Sequence, residues 1–234
     1  MSGAPKWRSP QVEDYLKGVY SLAERSDSPV TTTALAARLG VSTSSCSGMI
    51  RKLADLDLVA HARYGAIELT ADGLRVALEM VRRHRLVELY LVRALGYSWD
   101  EVHDEAEVLE HAVSPRLLDR IAERLGDPVL DPHGDPIPTR DGRVDVRASQ
   151  PLSSVGPGAS GEIVRVADTD PDLLRYLADQ HVGLGDRITV VEREPFGGPI
   201  VVRIGRPPDE QVRRFGSAVA DAVSVAVEPT QAGT

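Results

Sequence analysis

Thr31-Thr32-Thr33-Ala34-Leu35-Ala36-Ala37-Arg38-Leu39-Gly40-Val41-Ser42, continued from Thr43 to Leu56, is the stretch that decides the fold. It reads as a short helix, a turn at Gly40, a packing residue at Val41, a Ser42 cap and a second helix over 43–56. That is the order of a helix-turn-helix. The second helix turns Cys46, Met49, Ile50 and Leu53 to one side. Its other side carries Ser44, Ser45, Ser47, Gly48, Arg51 and Lys52. Small hydroxyl residues let a helix approach a groove closely, and the two bases suit phosphates. Working outward, Leu58–Ala60 and Ala66–Thr70 alternate like strands around His61–Gly65 and form a candidate wing, with Arg63 at its tip. On the other side, Ser9-Pro10 is a cap followed by an N1 proline, and Val12, Leu16, Val19 and Ala23 continue as an amphipathic helix. The candidate DNA contacts are therefore Ser42, Thr43, Ser44, Ser45, Ser47, Arg51, Lys52 and Arg63. A packing hairpin with a polar face would explain the helix pair alone, but not hairpin, cap, polar face and wing together.

The whole chain has 234 residues, a net charge of −8 and 42% hydrophobic residues, the balance of a soluble globular protein with a real core. Acidity argues against non-specific polyanion binding by the chain as a whole. In residues 1–75 bases and acids roughly balance, so that part is free to face DNA. No apolar run is long enough to cross a membrane, and the N-terminus lacks an apolar signal core, so a cytoplasmic protein with no membrane partner is expected. The single cysteine, Cys46, excludes an internal disulfide framework and a cysteine-based zinc site.

Ser98 to His111 is the second informative stretch. Ser98 with Glu101 three residues on is a capping box, so a helix is expected from there. At about 100° per residue, Val102, Ala106, Leu109 and Val113 form an apolar stripe. His103, Glu107, Glu110 and His111 form a second stripe beside it. Like charges at the edge of a core are costly, and no Lys or Arg lies between Arg93 and Arg116 to offset them locally. A divalent cation would, and imidazole plus carboxylate suits Mn²⁺, Fe²⁺, Co²⁺ or Zn²⁺. The bland alternative is a solvated acidic helix with incidental histidines. Upstream, a long helix is expected from Thr70 to about Leu95, with Leu74, Leu78, Val81, Val92 and Leu95 on one face. His84 and Glu88 fall on that face, either as a core hydrogen bond or as part of a second metal site.

The winged helix, Arg82-Arg83-His84-Arg85-Leu86-Val87-Glu88 and Val102 to Ser114 together resemble the diphtheria toxin repressor family, in its manganese-regulator branch. The loop Asp131-Pro132-His133-Gly134-Asp135-Pro136-Ile137-Pro138 resembles the turn after that family's metal and dimerisation helices. The resemblance implies a homodimeric, metal-activated repressor of metal-uptake genes, bound to palindromic double-stranded operator DNA. It implies a primary site at Asp14, Glu107, Glu110 and His111. By periodicity alone Asp14 would pass as a surface acid. It implies an ancillary site at His84, Glu88 and His103, with Asp170 as the nearest further ligand from the C-terminal part. Iron-responsive members carry Met and Cys where this chain has Asp14 and Glu107, and hard oxygen ligands favour Mn²⁺. Lys17 stands where short manganese regulators place a Glu that helps hold a closely spaced metal pair, so two separated sites are expected.

The fold expected is mainly α with β. It comprises a winged helix-turn-helix over 1–73, a helical metal-binding and dimerisation domain over 74–142, and a Pro/Gly/Asp-rich linker over 143–160. A small SH3-like barrel over 161–229 completes it, with a strand at 220–226. The rivals are an iron(II)-responsive repressor of the same fold, a metal-dependent hydrolase and a metal-buffering protein. The hydrolase needs an open coordination position, a base and a cleft, and no such third set is visible. A non-enzymatic regulator is expected.

Overall fold

The computed structural model describes residues 7–25, 28–61, 65–206, 208 and 210–228. It groups into two compact units. The first is Met1–Val87, Glu107–Arg120 and Ile137–Val144, and the second is Glu88–Ala106, Ile121–Pro136 and Asp145–Thr234.

The first unit opens with α1 (Pro10–Arg25), α2 (Thr32–Arg38) and α3 (Thr43–Asp55), then an antiparallel pair, β1 (Val59–His61) and β2 (Ile67–Leu69), paired as Val59↔Leu69 and His61↔Ile67. Thr31 caps α2 by accepting the Ala34 N–H, and Ser42 caps α3 by accepting the Ser45 N–H. Each cap satisfies a backbone donor the helix cannot, a contribution of about 1 kcal/mol. Gly40 at φ +63° takes the left-handed turn between the helices at no steric cost. One apolar cluster holds the unit together. Val12, Leu16 and Val19 of α1, Leu35 of α2, and Cys46, Ile50 and Leu53 of α3 pack with Leu58 and Ile67 of the wing. Truncating one such leucine to alanine costs roughly 2–5 kcal/mol. Arg63, expected at the wing tip, lies outside the described residues.

α4 (Ala71–Tyr90) starts where Gly73 meets Leu58, the residue before β1. A Cβ there would stand 1.9 Å from the Leu58 carbonyl oxygen. The helix ends in a π turn, Leu91–Leu95, stopped by Gly96 at φ +78°. The expected single-faced stripe does not hold along α4. Leu74 and Leu95 are exposed, whereas Met80, Leu86, Val87 and Leu89 are buried beside Leu78 and Val81. The middle of α4 is enclosed on most sides, which a one-faced periodicity cannot express.

α5 (Val102–Leu109) and α6 (Pro115–Leu125) follow. α5 is shorter than expected. The Ser98 N–H and hydroxyl both donate to Glu101 Oε2, at 3.3 and 2.7 Å, closing a turn ahead of the helix, and Glu110 and His111 lie in the turn after it. Val102 and Ala106 are fully buried, as the stripe predicts.

The second unit carries a six-stranded antiparallel sheet in the order β3-β8-β4-β5-β6-β7. Its strands are β3 (Gln150–Pro151), β4 (Ser160–Val166), β5 (Arg187–Arg193), β6 (Ile200–Ile204), β7 (Gln211–Phe215) and β8 (Val223–Val227). α7 (Pro171–Asp179) and α8 (Ser217–Ala222) complete it. Alternating residues such as Ile163, Ile188, Val190, Val202 and Val225 form its core with Leu174 and Leu177 of α7 and Phe215. The stretch expected as linker contributes β3, paired to β8, and the fully buried Leu152. Residues 220–222, expected as strand, close α8, because Ala-rich Ser217–Ala222 turns helical before the β-branched Val223. Among the described residues no helix is long and apolar enough to cross a membrane.

Candidate metal centres and nucleic-acid interface

The residues expected to face DNA lie on α3 and at its N-cap. Thr43, Ser44, Ser45, Arg51 and Lys52 are exposed, and Ser47 is half-buried. Part of their hydrogen-bonding capacity is already committed. Ser42 Oγ donates to Ser45 Oγ at 2.9 Å and lies 3.0 Å from Ser44 Oγ. Ser47 Oγ donates to the Thr43 carbonyl at 2.9 Å. Thr43, Arg51 and Lys52 thus keep the freest reach on the helix.

In the first unit α1 meets the turn after α5. His111 Nε2 donates to Asp14 Oδ1 at 2.8 Å, and Nδ1 faces Glu13 Oε2 at 3.1 Å. His84 on α4 donates from Nδ1 to Glu110 Oε2 at 2.7 Å. Asp14, Glu110 and His111 each offer a ligand atom within 4.8 Å of the others, and so do His84, Glu107 and Glu110, so Glu110 is common to both sets. Its side chain is 0% exposed. The primary set expected from resemblance is therefore divided, with Asp14 and His111 in one set, Glu107 in the other, and Glu110 shared. Glu13, the one acid in the first turn of α1, was not anticipated, because an acid there is explained by the helix dipole alone. It also pairs with Arg8.

One expectation about this place is overturned. The carboxylates are not without a cation. Lys17 Nζ lies 2.8 Å from Glu107 Oε1 and 2.6 Å from Glu110 Oε1. Burial opposes charge on Lys17, yet the Glu110 and Glu107 carboxylates outweigh it and hold the ammonium above the ordinary lysine value. Burial likewise opposes charge on Glu110, but His84 and Lys17 hold its carboxyl below the usual range. Burial pushes the Asp14 carboxyl up, despite His111 and Lys17. No base lies between Arg93 and Arg116, and this one arrives from 90 residues away.

In the second unit His103 Nδ1 donates to Glu88 Oε1 at 3.2 Å and stands 3.8 Å from Asp168 Oδ2. Asp170, the ligand expected there, is engaged elsewhere. It caps α7 by accepting the Asp172 and Leu173 N–H groups. Asp168, two residues earlier, takes the place beside His103. Glu88, Asp131 and His133, all buried, bring a second set of ligand atoms within 4.8 Å of one another. Asp131 Oδ1 accepts the His133 and Asp135 N–H groups at 2.8 and 2.9 Å, which folds the loop. His133 Nε2 donates to the Trp99 carbonyl at 2.7 Å while its ring stacks on the indole, with centroids 6.2 Å apart. That bond places the proton on Nε2 and leaves buried Nδ1 as an acceptor without a hydrogen-bond partner. Asp131 and His133 are not among the residues the sequence singles out as metal donors. The signal was their i, i+2 spacing in a tight turn.

Both clusters fit a divalent ion. The donors are carboxylate oxygens and imidazole nitrogens, with no sulfur among them, and buried carboxylates gather at each. Cys46 is buried in the α3 core.

A winged helix-turn-helix with carboxylate–imidazole clusters defines a class, the metal-responsive DNA-binding regulators. Comparison with known proteins makes it specific. Residues 9–67 match the iron dependent repressor N-terminal DNA binding domain, and 70–139 match the iron dependent repressor metal binding and dimerisation domain. Residues 150–227 match the FeoA domain, the SH3-like fold anticipated for the C-terminal part. The chain is 31% identical over 209 residues to the iron-dependent repressor IdeR of Mycobacterium leprae, covering 81% of this chain and 87% of that one. It is similar to a solved manganese-dependent transcriptional repressor in complex with manganese, at 49% identity and TM-score 0.88, covering 92% and 98% of the two chains. The manganese regulator SloR follows at 34% identity and TM-score 0.76, covering 94% and 99%. The chain belongs to the iron-dependent, or diphtheria toxin, repressor family of metal-dependent DNA-binding transcriptional repressors.

Proposed function

We propose that the protein is a homodimeric, Mn²⁺-activated repressor that binds palindromic operator DNA and controls metal-uptake genes in the cytoplasm. The observation that carries this reading is the sulfur-free cluster of Asp14, Glu107, Glu110 and His111, in which α1 of the DNA-binding region meets the turn after α5. Hard oxygen donors with one imidazole suit Mn²⁺ better than a sulfur-containing set does. The similarity to manganese-dependent repressors agrees with it.

Asp14, Glu107, Glu110 and His111 would hold a divalent cation, whose charge would offset the negative charge that Lys17 leaves over. Asp14 then ties α1 to Glu107, Glu110 and His111, and α1 carries α2 and α3 through their shared core. The two recognition helices of a dimer must sit about 34 Å apart to enter successive major grooves. Fixing α1 fixes that spacing, and coupling of this kind amounts to roughly 1–3 kcal/mol. Thr43, Ser44, Ser45, Ser47, Arg51 and Lys52 face the groove and the phosphates, with Ser42 holding the helix start. A second metal position draws on Glu88 and His103, with His84 one helical turn before Glu88 on α4. Asp168 replaces Asp170 as the carboxylate beside His103. Asp131 and His133 are further donors for Glu88.

An iron(II)-responsive repressor is the second reading, favoured by the similarity to an iron-dependent repressor. Capture of genomic DNA fragments by the purified protein, with chelator, with Mn²⁺ and with Fe²⁺ under anaerobic conditions, separates the two. Capture with Mn²⁺ but not Fe²⁺ is expected. Capture with Fe²⁺ alone would overturn the oxygen-ligand argument, and no metal-dependent capture would overturn the repressor reading.

A further inference from the structure

Glu13 is only 7% exposed, yet it belongs to none of the ligand sets found among the described residues. A first-turn acid that served the helix dipole alone would face water. Both of its oxygens are engaged instead. Oε1 accepts the Arg8 Nε–H, and Oε2 stands 3.1 Å from His111 Nδ1. Arg8, in the segment before α1, also lies 2.8 Å from Glu79 on α4, so the buried acid is not left as an unpaired charge. Neighbours about 100° apart on α1 thus address the two nitrogens of one ring. Those nitrogens differ in what surrounds them. Nε2 lies between Asp14 Oδ1 at 2.8 Å and Glu110 Oε1 at 3.6 Å, the other two members of its ligand set. Nδ1 faces Glu13. A nitrogen that binds a cation gives up its proton, and a neutral imidazole then keeps its single proton on the other nitrogen. With Nε2 toward the metal, that proton sits on Nδ1 and points at Glu13.

We propose that Glu13 is a positioning residue of the first cluster, whose carboxylate accepts the His111 Nδ1–H and so presents Nε2 to the ion beside Asp14 and Glu110, while Arg8 holds Glu13 in place. This rests on the metal-site reading above and deepens it. An accepting carboxylate fixes the tautomer and plane of the ring and makes the remaining nitrogen a better donor. Asp14 and Glu13 then divide the work on α1, the one as a ligand and the other as the group that aims a ligand. An Arg8–Glu13 ion pair that only steadied the start of α1 would have no reason to place the second oxygen at the imidazole.

The test is Zn²⁺ binding by the full-length protein, followed by NMR at the histidine ring nitrogens, with free Zn²⁺ set by a chelator. Zn²⁺ is diamagnetic, and the signals that His111→Gln removes belong to His111, so the second cluster does not enter the reading. In the wild type His111 is expected to bind Zn²⁺ through Nε2 and to show a protected proton on Nδ1. Glu13→Ala is expected to lose that proton to exchange with water. It should bind Zn²⁺ at His111 about 10–100-fold more weakly, the usual cost of removing the outer partner of a metal-bound histidine. Glu13→Gln keeps an oxygen acceptor and is expected to fall between the two, and Arg8→Ala to weaken binding in the same direction by less. A structural role alone would lower the melting temperature of the variants without moving either His111 signal, and that result overturns the proposal. So does a wild type that binds Zn²⁺ through Nδ1, which needs no variant to fold. Should Glu13→Ala fail to fold by circular dichroism, unchanged affinity and an unchanged Nδ1 proton in Glu13→Gln and Arg8→Ala overturn it instead. A wild type that binds Zn²⁺ at His111 with variants that match it leaves the metal-site reading standing and removes this proposal alone. A wild type in which Zn²⁺ never reaches His111 removes both.

Discussion

The first unit's cluster and the second unit's cluster use the same two side-chain types in opposite ways. Around Asp14, Glu107, Glu110 and His111 the charges are balanced in advance, by Lys17 on two carboxylates and by Arg8 on Glu13. Around Glu88, Asp131 and His133 all three groups are buried, and His133 Nδ1 keeps an acceptor without a hydrogen bond. A pre-neutralised site is stable when empty and yields its ion readily. In the second cluster the buried His133 Nδ1, which lacks a hydrogen bond when the site is empty, gains a partner on filling. The first arrangement suits a sensor, and the second suits a position that stays filled and stiffens its surroundings.

The largest effect expected from breaking this contrast is in the first cluster. Glu107→Ala combined with His111→Ala should lower metal-dependent operator affinity by about 100-fold or more, roughly 2.7 kcal/mol, in fluorescence anisotropy, with the dimer intact by light scattering. Binding that remains metal-responsive would mean this cluster is not the switch. In the second cluster, Glu88→Gln should remove one bound Mn²⁺ per chain by calorimetry. It should weaken operator binding only about tenfold, about 1.4 kcal/mol. An effect as large as the first would erase the distinction between sensor and support.

Acid stability sharpens the comparison further. The Glu110 carboxyl is held below its ordinary 4.5 in the folded chain. Its contribution is therefore present above that pH and is lost as pH falls through the lower folded value. Urea midpoints measured with chelator should fall below pH 4.5, and Glu110→Gln should flatten that fall. The smallest effect is at His133. His133→Phe keeps the stacking surface for Trp99, removes the orphaned nitrogen and loses one hydrogen bond. Metal-free stability should change by no more than about 1 kcal/mol, while the Mn²⁺-induced rise in melting temperature shrinks. A large metal-free loss would make His133 a packing residue first.

Much of this was legible in the residues themselves. The Ser42 cap, Gly40 and the spacing of Cys46, Ile50 and Leu53 specify a helix-turn-helix locally, because each acts within a turn or two of its own position. The stripe that sets Glu107, Glu110 and His111 beside the apolar face is local in the same way, and Asp14 enters only through family resemblance. Local pattern does not reach partners that lie far along the chain. A one-faced stripe through Leu74 and Leu95 does not express how thoroughly the middle of α4 is enclosed. Asp170, placed before Pro171, is taken up as a helix cap.

Sequence by itself determined the order of elements, the recognition helix and the types of metal donor, since periodicity, capping and donor chemistry are properties of neighbouring residues. Only the tertiary structure decided that Lys17 enters the carboxylate cluster from 90 residues away, and that Asp168 rather than Asp170 stands beside His103. It also decided that Asp131 and His133 gather on Glu88. Those facts follow from which surfaces pack against each other. Packing satisfies charge and volume across the whole chain, a condition no local window of residues contains.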